Sequence, residues 1–169
     1  MGKNRLVIDI GSRLTKVSLV SDTSSFISFE SFTDFETESS LLFNKKYKSD
    51  FEAAISAIGV SAKEFSVVIS NQLECVKSLV LPKLSNKEAA QKQLETRFAK
   101  EFNRNLGEYY YSIKDDFSST EEKPKIRVYA VEKRVVDSFF QLAKTIKAKI
   151  VNFEVAECAL CELSTDLIK

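Results

Sequence analysis

The residues with the most chemical content sit in one short string, Asp9-Ile10-Gly11-Ser12-Arg13-Leu14-Thr15-Lys16. An acidic residue ends an apolar strand, a glycine turn follows, and a second strand carries a lysine. Glycine lets the backbone come close to an anion, and amides around such a turn can point at phosphate oxygens. Ser12 and Thr15 can add hydroxyl donors, Lys16 can place a positive charge on a terminal phosphate, and Arg13 lies in the same turn. Asp9 can hold a magnesium ion through its water shell, since magnesium keeps several of its waters. A β-hairpin closed by an ordinary glycine turn would carry the same residues, and the string alone leaves both readings open.

Other chemistry is bounded by what the chain contains. It has no histidine, which excludes histidine general bases, nucleophile relays and zinc ligands. Cys158 and Cys161 form a Cys-x-x-Cys string, with Cys75 the only other thiol. A zinc site needs four ligands, and three thiols without an imidazole fall short. The pair lies inside an apolar helical run, Val155 to Leu163, which favours buried structural cysteines over a redox site. Unpaired cysteines and no recognisable signal peptide suggest a reducing, cytoplasmic setting. No apolar run approaches the roughly 20 residues of a membrane span. Hydrophobic residues make up 44% and charged residues 29%, and the net charge is +1. That is a globular balance with no bulk attraction to nucleic acid or anionic lipid.

The elements that must position these residues read as mixed α/β. Arg5 to Ile10, Thr15 to Ser21 and Ser24 to Phe35 alternate as a meander of strands. Asn44 to Tyr47 reads as a basic turn. Ser49-Asp50-Phe51-Glu52 matches a capping box ahead of a helix that puts Phe51, Ala54, Ile55 and Ile58 on one face and stops at Gly59. Phe65 to Ser70 and Cys75 to Leu81 read as strands, the latter ended by Pro82. Ser85-Asn86-Lys87-Glu88 is a second capping box. The helix behind it, Lys87 to Phe102, places Ala90, Leu94, Phe98 and Phe102 at four-residue steps. Tyr109 to Ile113 is a strand, Asp115 to Pro124 a polar loop, and Lys125 to Val131 a strand. Arg134 to Ile146 is a helix with Val135, Val136, Phe139, Phe140 and Ala143 inward. Lys149 to Phe153 is a short strand, and Val155 to Leu163 the last helix.

The phosphate-turn string is not a P-loop, because no Gly-x-x-x-x-Gly-Lys is present. Asp-x-Gly-Ser with a lysine seven residues after the aspartate resembles the first phosphate motif of the actin, heat-shock chaperone and sugar-kinase superfamily. Leu6-Val7-Ile8-Asp9-Ile10-Gly11-Ser12 with Thr15-Lys16-Val17 is similar to the opening of the PilM family of type IV pilus assembly proteins. The resemblance continues in order through Leu81-Pro82-Lys83-Leu84-Ser85-Asn86-Lys87-Glu88, Tyr109 to Ile113, Val128-Tyr129-Ala130-Val131-Glu132-Lys133, and Val151-Asn152-Phe153-Glu154-Val155-Ala156. It covers nearly the whole chain, with individually loose motifs. An aspartate is usual in PilM relatives where Asn152 stands.

The resemblance implies an actin-like (ribonuclease H-like) α/β first lobe with an inserted small α+β subdomain. It places the core at residues 1–81 and 148–169 and the insertion at 82–147, with approximate boundaries. It implies ATP and magnesium as ligands of the full two-lobed fold, held in part by Asp9, Gly11, Ser12, Arg13, Thr15 and Lys16. Glu154, at the start of the last helix, would face the magnesium and attacking water; a carboxylate in a first helical turn is also favourable with the helix dipole alone. The partner implied is the N-terminal cytoplasmic peptide of a PilN-like inner-membrane protein, with Tyr109, Tyr110 and Tyr111 as candidate contacts and at least one of them exposed. Packing within the sheet is the competing role for these tyrosines. A homo-oligomer is possible on the same grounds. The second Asp-x-Gly hairpin and the adenine pocket of the superfamily do not appear in residues 155–169, so no substantial ATPase activity is expected of this chain alone. Two other readings are a truncated cell-division protein like FtsA, and a lobe of a sugar-kinase-type phosphotransferase.

Overall fold

The computed structural model describes residues 3–22, 27–37, 45–58, 63–83, 86–115 and 125–158. The chain divides into two units, residues 75–136 and the residues on either side of them.

The outer unit is built on a five-stranded sheet in the order β3-β2-β1-β4-β8. Its strands are β1 (Lys3–Ile10), β2 (Leu14–Asp22), β3 (Ile27–Glu36), β4 (Glu64–Ile69) and β8 (Lys149–Val155). The first three form the antiparallel meander, and β4 and β8 run parallel to β1 and to each other. Strand alternation decides which side is core. Leu6, Ile8 and Ile10 of β1 point to one face and are fully or almost fully buried, with Val17 and Leu19 of β2 and Phe65, Val67 and Ile69 of β4. Helix α1 (Lys45–Ile58) and helix α3 (Lys133–Thr145) contribute Phe51 and Phe139 to this core, their rings 6.2 Å apart edge to face. Phe139 also meets Phe153 of β8 at 5.9 Å, and Phe35 of β3 meets Tyr47 of α1 at 5.3 Å.

The inner unit is a three-stranded antiparallel sheet, β5-β7-β6, under one helix. Its strands are β5 (Val76–Pro82), β6 (Tyr109–Asp115) and β7 (Lys125–Glu132), and helix α2 is Lys87–Phe102. Leu94 and Phe98 of α2 pack onto Leu79, Leu81, Tyr109, Val128 and Ala130. Phe102 packs against the same cluster, and apart from three alanines the remaining residues of α2 are polar, so this one stripe holds it. Its first turn is capped by Asn86, whose Oδ1 accepts the Ala89 N–H at 3.1 Å. Its last turn closes on Asn103 in the left-handed conformation (φ 51°), donating to the Ala99 carbonyl.

Several expectations need correction. Helix α1 starts at Lys45, not Ser49: Tyr47 is buried at helical spacing from Phe51 and Ala54, so the apolar stripe reaches one turn further back and the basic turn is helix. The second cap is Asn86, and Ser85 lies outside the described residues. Phe140 is exposed, with Leu142 buried in its place. Val155 ends β8, and helix begins at Ala156. Gly59, residues 116–124 of the expected loop, and 159–169 with Cys161 also lie outside the described set, while Cys75 and Cys158 are buried. The two units divide at 74/75 and 136/137, where the resemblance gives approximate boundaries at 81/82 and 147/148. Strand β5 pairs with β7 along its whole length, and Phe139 of α3 packs against Phe51 and Phe153. Among the described residues no helix is long and apolar enough to cross a membrane.

Burial pushes the Cys75 thiol up from 9.0 to about 11, with the Glu132 carboxylate adding to the shift. Tyr109 is raised for the same two reasons. Folded chains therefore hold protons that unfolded chains lose, and stability falls as pH rises from about 9 through 11. Urea midpoints measured across that window should decline, and Cys75→Ala should flatten the decline.

Candidate functional site

Residues paired directly across a sheet share a face. Asp34 of β3 pairs with Lys16 of β2, Lys16 with Asp9 of β1, Asp9 with Val68 of β4, and Val68 with Glu154 of β8. One row therefore crosses all five strands on the face away from the Ile8 and Val67 core. Asp9 and Glu154 stand on either side of Val68, two strand spacings or about 10 Å apart. Lys16 Nζ lies 3.3 Å from Asp9 Oδ2, and both side chains are about half exposed. This is an open ion pair, whose strength in water is modest and salt-sensitive.

The hairpin between β1 and β2 adds the next contacts. Gly11 donates its N–H to the Leu14 carbonyl at 2.9 Å. A Cβ on Gly11 would sit 2.9 Å from that same oxygen, so glycine is required here by close approach of backbone to backbone. The Gly11 amide is thus engaged within the turn. Ser12 is exposed, and its Oγ donates to Gln72 Oε1 at 3.3 Å. Arg13 is exposed, and its carbonyl accepts the Thr37 N–H at 2.7 Å. Gln72 lies in the turn after β4, where its own N–H donates to Ser70 Oγ. Beside it Asn71 Nδ2 donates to Glu157 Oε2 at 3.4 Å.

Asp9, Ser12, Lys16 and Glu154 therefore gather at the carboxyl ends of β1, β4 and β8, the edge of an open α/β sheet where ligands bind. Lys16, Ser12 and the Gln72 amide suit an anion, and Asp9 with Glu154 suits a hydrated cation. No group of three or more acidic or thiol side chains close enough to ligate a metal occurs among the described residues.

Thr15 does not join them. Its side chain points to the opposite face, fully buried, with Oγ1 2.6 Å from Thr37 Oγ1 and 3.1 Å from the Tyr47 hydroxyl. Strand parity forbids Thr15 and Lys16 from facing one ligand. Glu154 also differs from expectation in its setting: it is a strand residue two positions before the helix. Asn71, Gln72 and Glu157 were missed, because a turn of Ser-Asn-Gln carries no motif and only the parallel β1–β4 pairing brings it to Ser12.

The tyrosine strand β6 divides by the same parity. Tyr109 is 3% exposed, packs against Phe98 at 5.0 Å, and drops out as a partner contact. Tyr110 is 49% exposed under Lys133 Nζ, 5.4 Å from the ring centroid. Tyr111 is 41% exposed, and its hydroxyl donates to Gln91 Oε1 at 3.1 Å.

No protein-family model matches the chain, and no curated protein matches it. Solved structures do, and they define an α/β protein of the actin-like ATPase fold. One is a Bacteroides thetaiotaomicron protein of that fold and unknown function, at TM-score 0.57 and 11% identity over 96% of this chain and 55% of that one. The chain is also similar to the PilM–PilN type IV pilus biogenesis complex, at TM-score 0.59 and 13% identity over 89% of this chain and 47% of the other. A third is the cytoplasmic domain of EpsL, an inner-membrane component of the Vibrio cholerae type II secretion system, at TM-score 0.52 and 8% identity over 90% and 57%. At these identities the likeness is one of fold, and the chain spans about half the length of the structures it matches.

Two substitutions test the local geometry. Gly11→Ala must push Leu14 away and should cost about 1–3 kcal/mol of unfolding free energy in urea. Thr15→Val leaves the Thr37 hydroxyl short of a partner in a buried site and should cost about 1–3 kcal/mol with an unchanged denaturant slope.

Proposed function

We propose that the chain is the first lobe of an actin-like scaffold in a type IV pilus or type II secretion assembly machine. It would act at the cytoplasmic side of the inner membrane, docking the N-terminal cytoplasmic peptide of a PilN-like membrane protein. The observation that supports this most is the pair of fold likenesses, each spanning about nine-tenths of the chain, to a PilM–PilN complex and to an inner-membrane secretion component's cytoplasmic domain. Strand β6 supplies a physical means. It pairs only with β7 among the described residues, and an extended peptide can add to such an edge through main-chain hydrogen bonds. Tyr110 and Tyr111 would give side-chain grip.

The row at the end of the first sheet is the half-site for ATP and magnesium. Bound Mg²⁺ would supply charge neutralisation between phosphate oxygens. Asp9 and Glu154 would orient its waters, Ser12 would donate to a phosphate, and Lys16 would leave Asp9 for the terminal phosphate. By itself such a half-site would hold nucleotide weakly, since positioning a phosphate for reaction needs groups on both sides of it.

The test is fluorescence anisotropy with the labelled tail of the neighbouring membrane subunit. Binding at low salt should weaken about tenfold or more for Tyr111→Ala. Folded protein that ignores the tail sinks the docking role. In a parallel titration, tight magnesium-dependent ATP binding by this chain would overturn the weak half-site.

A further inference from the structure

Strand β6 has a second property, which concerns copies of the chain rather than another protein. Tyr110, Tyr111 and Ile113, at 49%, 41% and 49% exposed, are three exposed large apolar side chains on one seven-residue strand. Among the described residues the strand is terminal in its sheet. Long apolar edges pair with other strands unless they are blunted, and β6 has no proline and no register shift against β7, its one lysine, Lys114, standing next to the strand's end. Beside it runs a groove of about 810 Å³, with Gln91, Glu95 and Ala99 of α2 and the capping Asn103 on one side and Tyr109 and Tyr111 on the other. Gln91, Glu95 and Ala99 are successive four-residue steps along α2. The small Ala99 at mid-stripe leaves room where a fourth strand would pass.

The sequence of β6 says which strand. In an antiparallel pair related by a two-fold axis normal to the sheet, the axis must pass through a residue, because partners share a face. An axis through Ser112 is the one choice that uses all seven residues. It sets Tyr109 opposite Asp115, Tyr110 opposite Lys114, Tyr111 opposite Ile113, and Ser112 opposite itself. Each exposed apolar side chain on the Tyr111 face then meets the other, an aromatic–aliphatic cross-strand pair made twice. Each lysine meets a tyrosine ring, and no like charges oppose. Moving the axis by one residue to Tyr111 or Ile113 leaves two residues unpaired and separates Tyr111 from Ile113.

We propose that the chain forms a two-fold dimer by antiparallel pairing of β6 with β6 of a second copy, centred on Ser112, giving a continuous six-stranded sheet. The dimer does not depend on the pilus or secretion reading. Since a docked peptide would occupy the same edge, the two uses exclude each other.

Sedimentation velocity on the 169-residue chain tests it. The wild type should shift from monomer to dimer with rising concentration. Ser112→Lys faces two ammonium groups across the axis and should raise the dissociation constant tenfold or more, with an unchanged circular dichroism spectrum. Under mild oxidation Ser112→Cys should give a reducible dimer faster than Lys48→Cys, a change on an exposed residue of α1. A wild type that stays monomeric to its solubility limit, or equal cross-linking by the two cysteine variants, overturns the dimer. A monomer that still binds the membrane-protein tail through β6 overturns it too, and leaves the docking role standing.

Discussion

The site depends on the burial of Leu6, Ile8 and Ile10 along one side of β1. This strand has neighbours on both sides, antiparallel β2 and parallel β4. With its odd neighbours forced outward, Asp9 must emerge at the strand's carboxyl end on the face opposite the core. The registers then leave no freedom: Lys16 is beside Asp9, and Glu154 lies one strand beyond Val68. A slip of one residue in any of these pairings would bury a charge and expose an isoleucine. The apolar energy of the core thus orders the charges, which contribute little to stability themselves.

The same parity separates neighbours that look alike in sequence. Thr15 and Lys16 adjoin, yet one closes a buried hydroxyl cluster with Thr37 and Tyr47 while the other faces water. Tyr109 and Tyr110 adjoin, yet one is core and the other surface. The two sheets also treat their edges differently: β6 ends its sheet with aromatic rings outward, whereas β8 ends its own carrying Glu154 toward the site.

Local pattern made much of this legible. The alternation of β1 and β2, the stripe Leu94–Phe98 of α2 and the glycine turn can be read from residues alone. What could not be read is what depends on pairing between distant strands. Gln72 reaches Ser12 only because β4 lies parallel to β1, and no string announces that. The serine of the first capping motif misled for a simple reason. A capping box is a local preference, and burial of Tyr47 one turn upstream outweighs it. Phe140 misled because a helix stripe has two sides, and Leu142 lies nearer its centre.

The inner unit is one unbroken stretch, residues 75–136, while the outer unit is assembled from chain on both sides of it. On a ribosome this difference becomes an order of events. The inner sheet can complete all its strand pairs once β7 has emerged. The outer sheet still lacks β8 and most of α3 at that moment. Until they arrive, the far edge of β4 has no strand to pair with and Phe51 no Phe139 to pack on. Of the two units, the one that carries the Gly11 turn starts first and closes its sheet last.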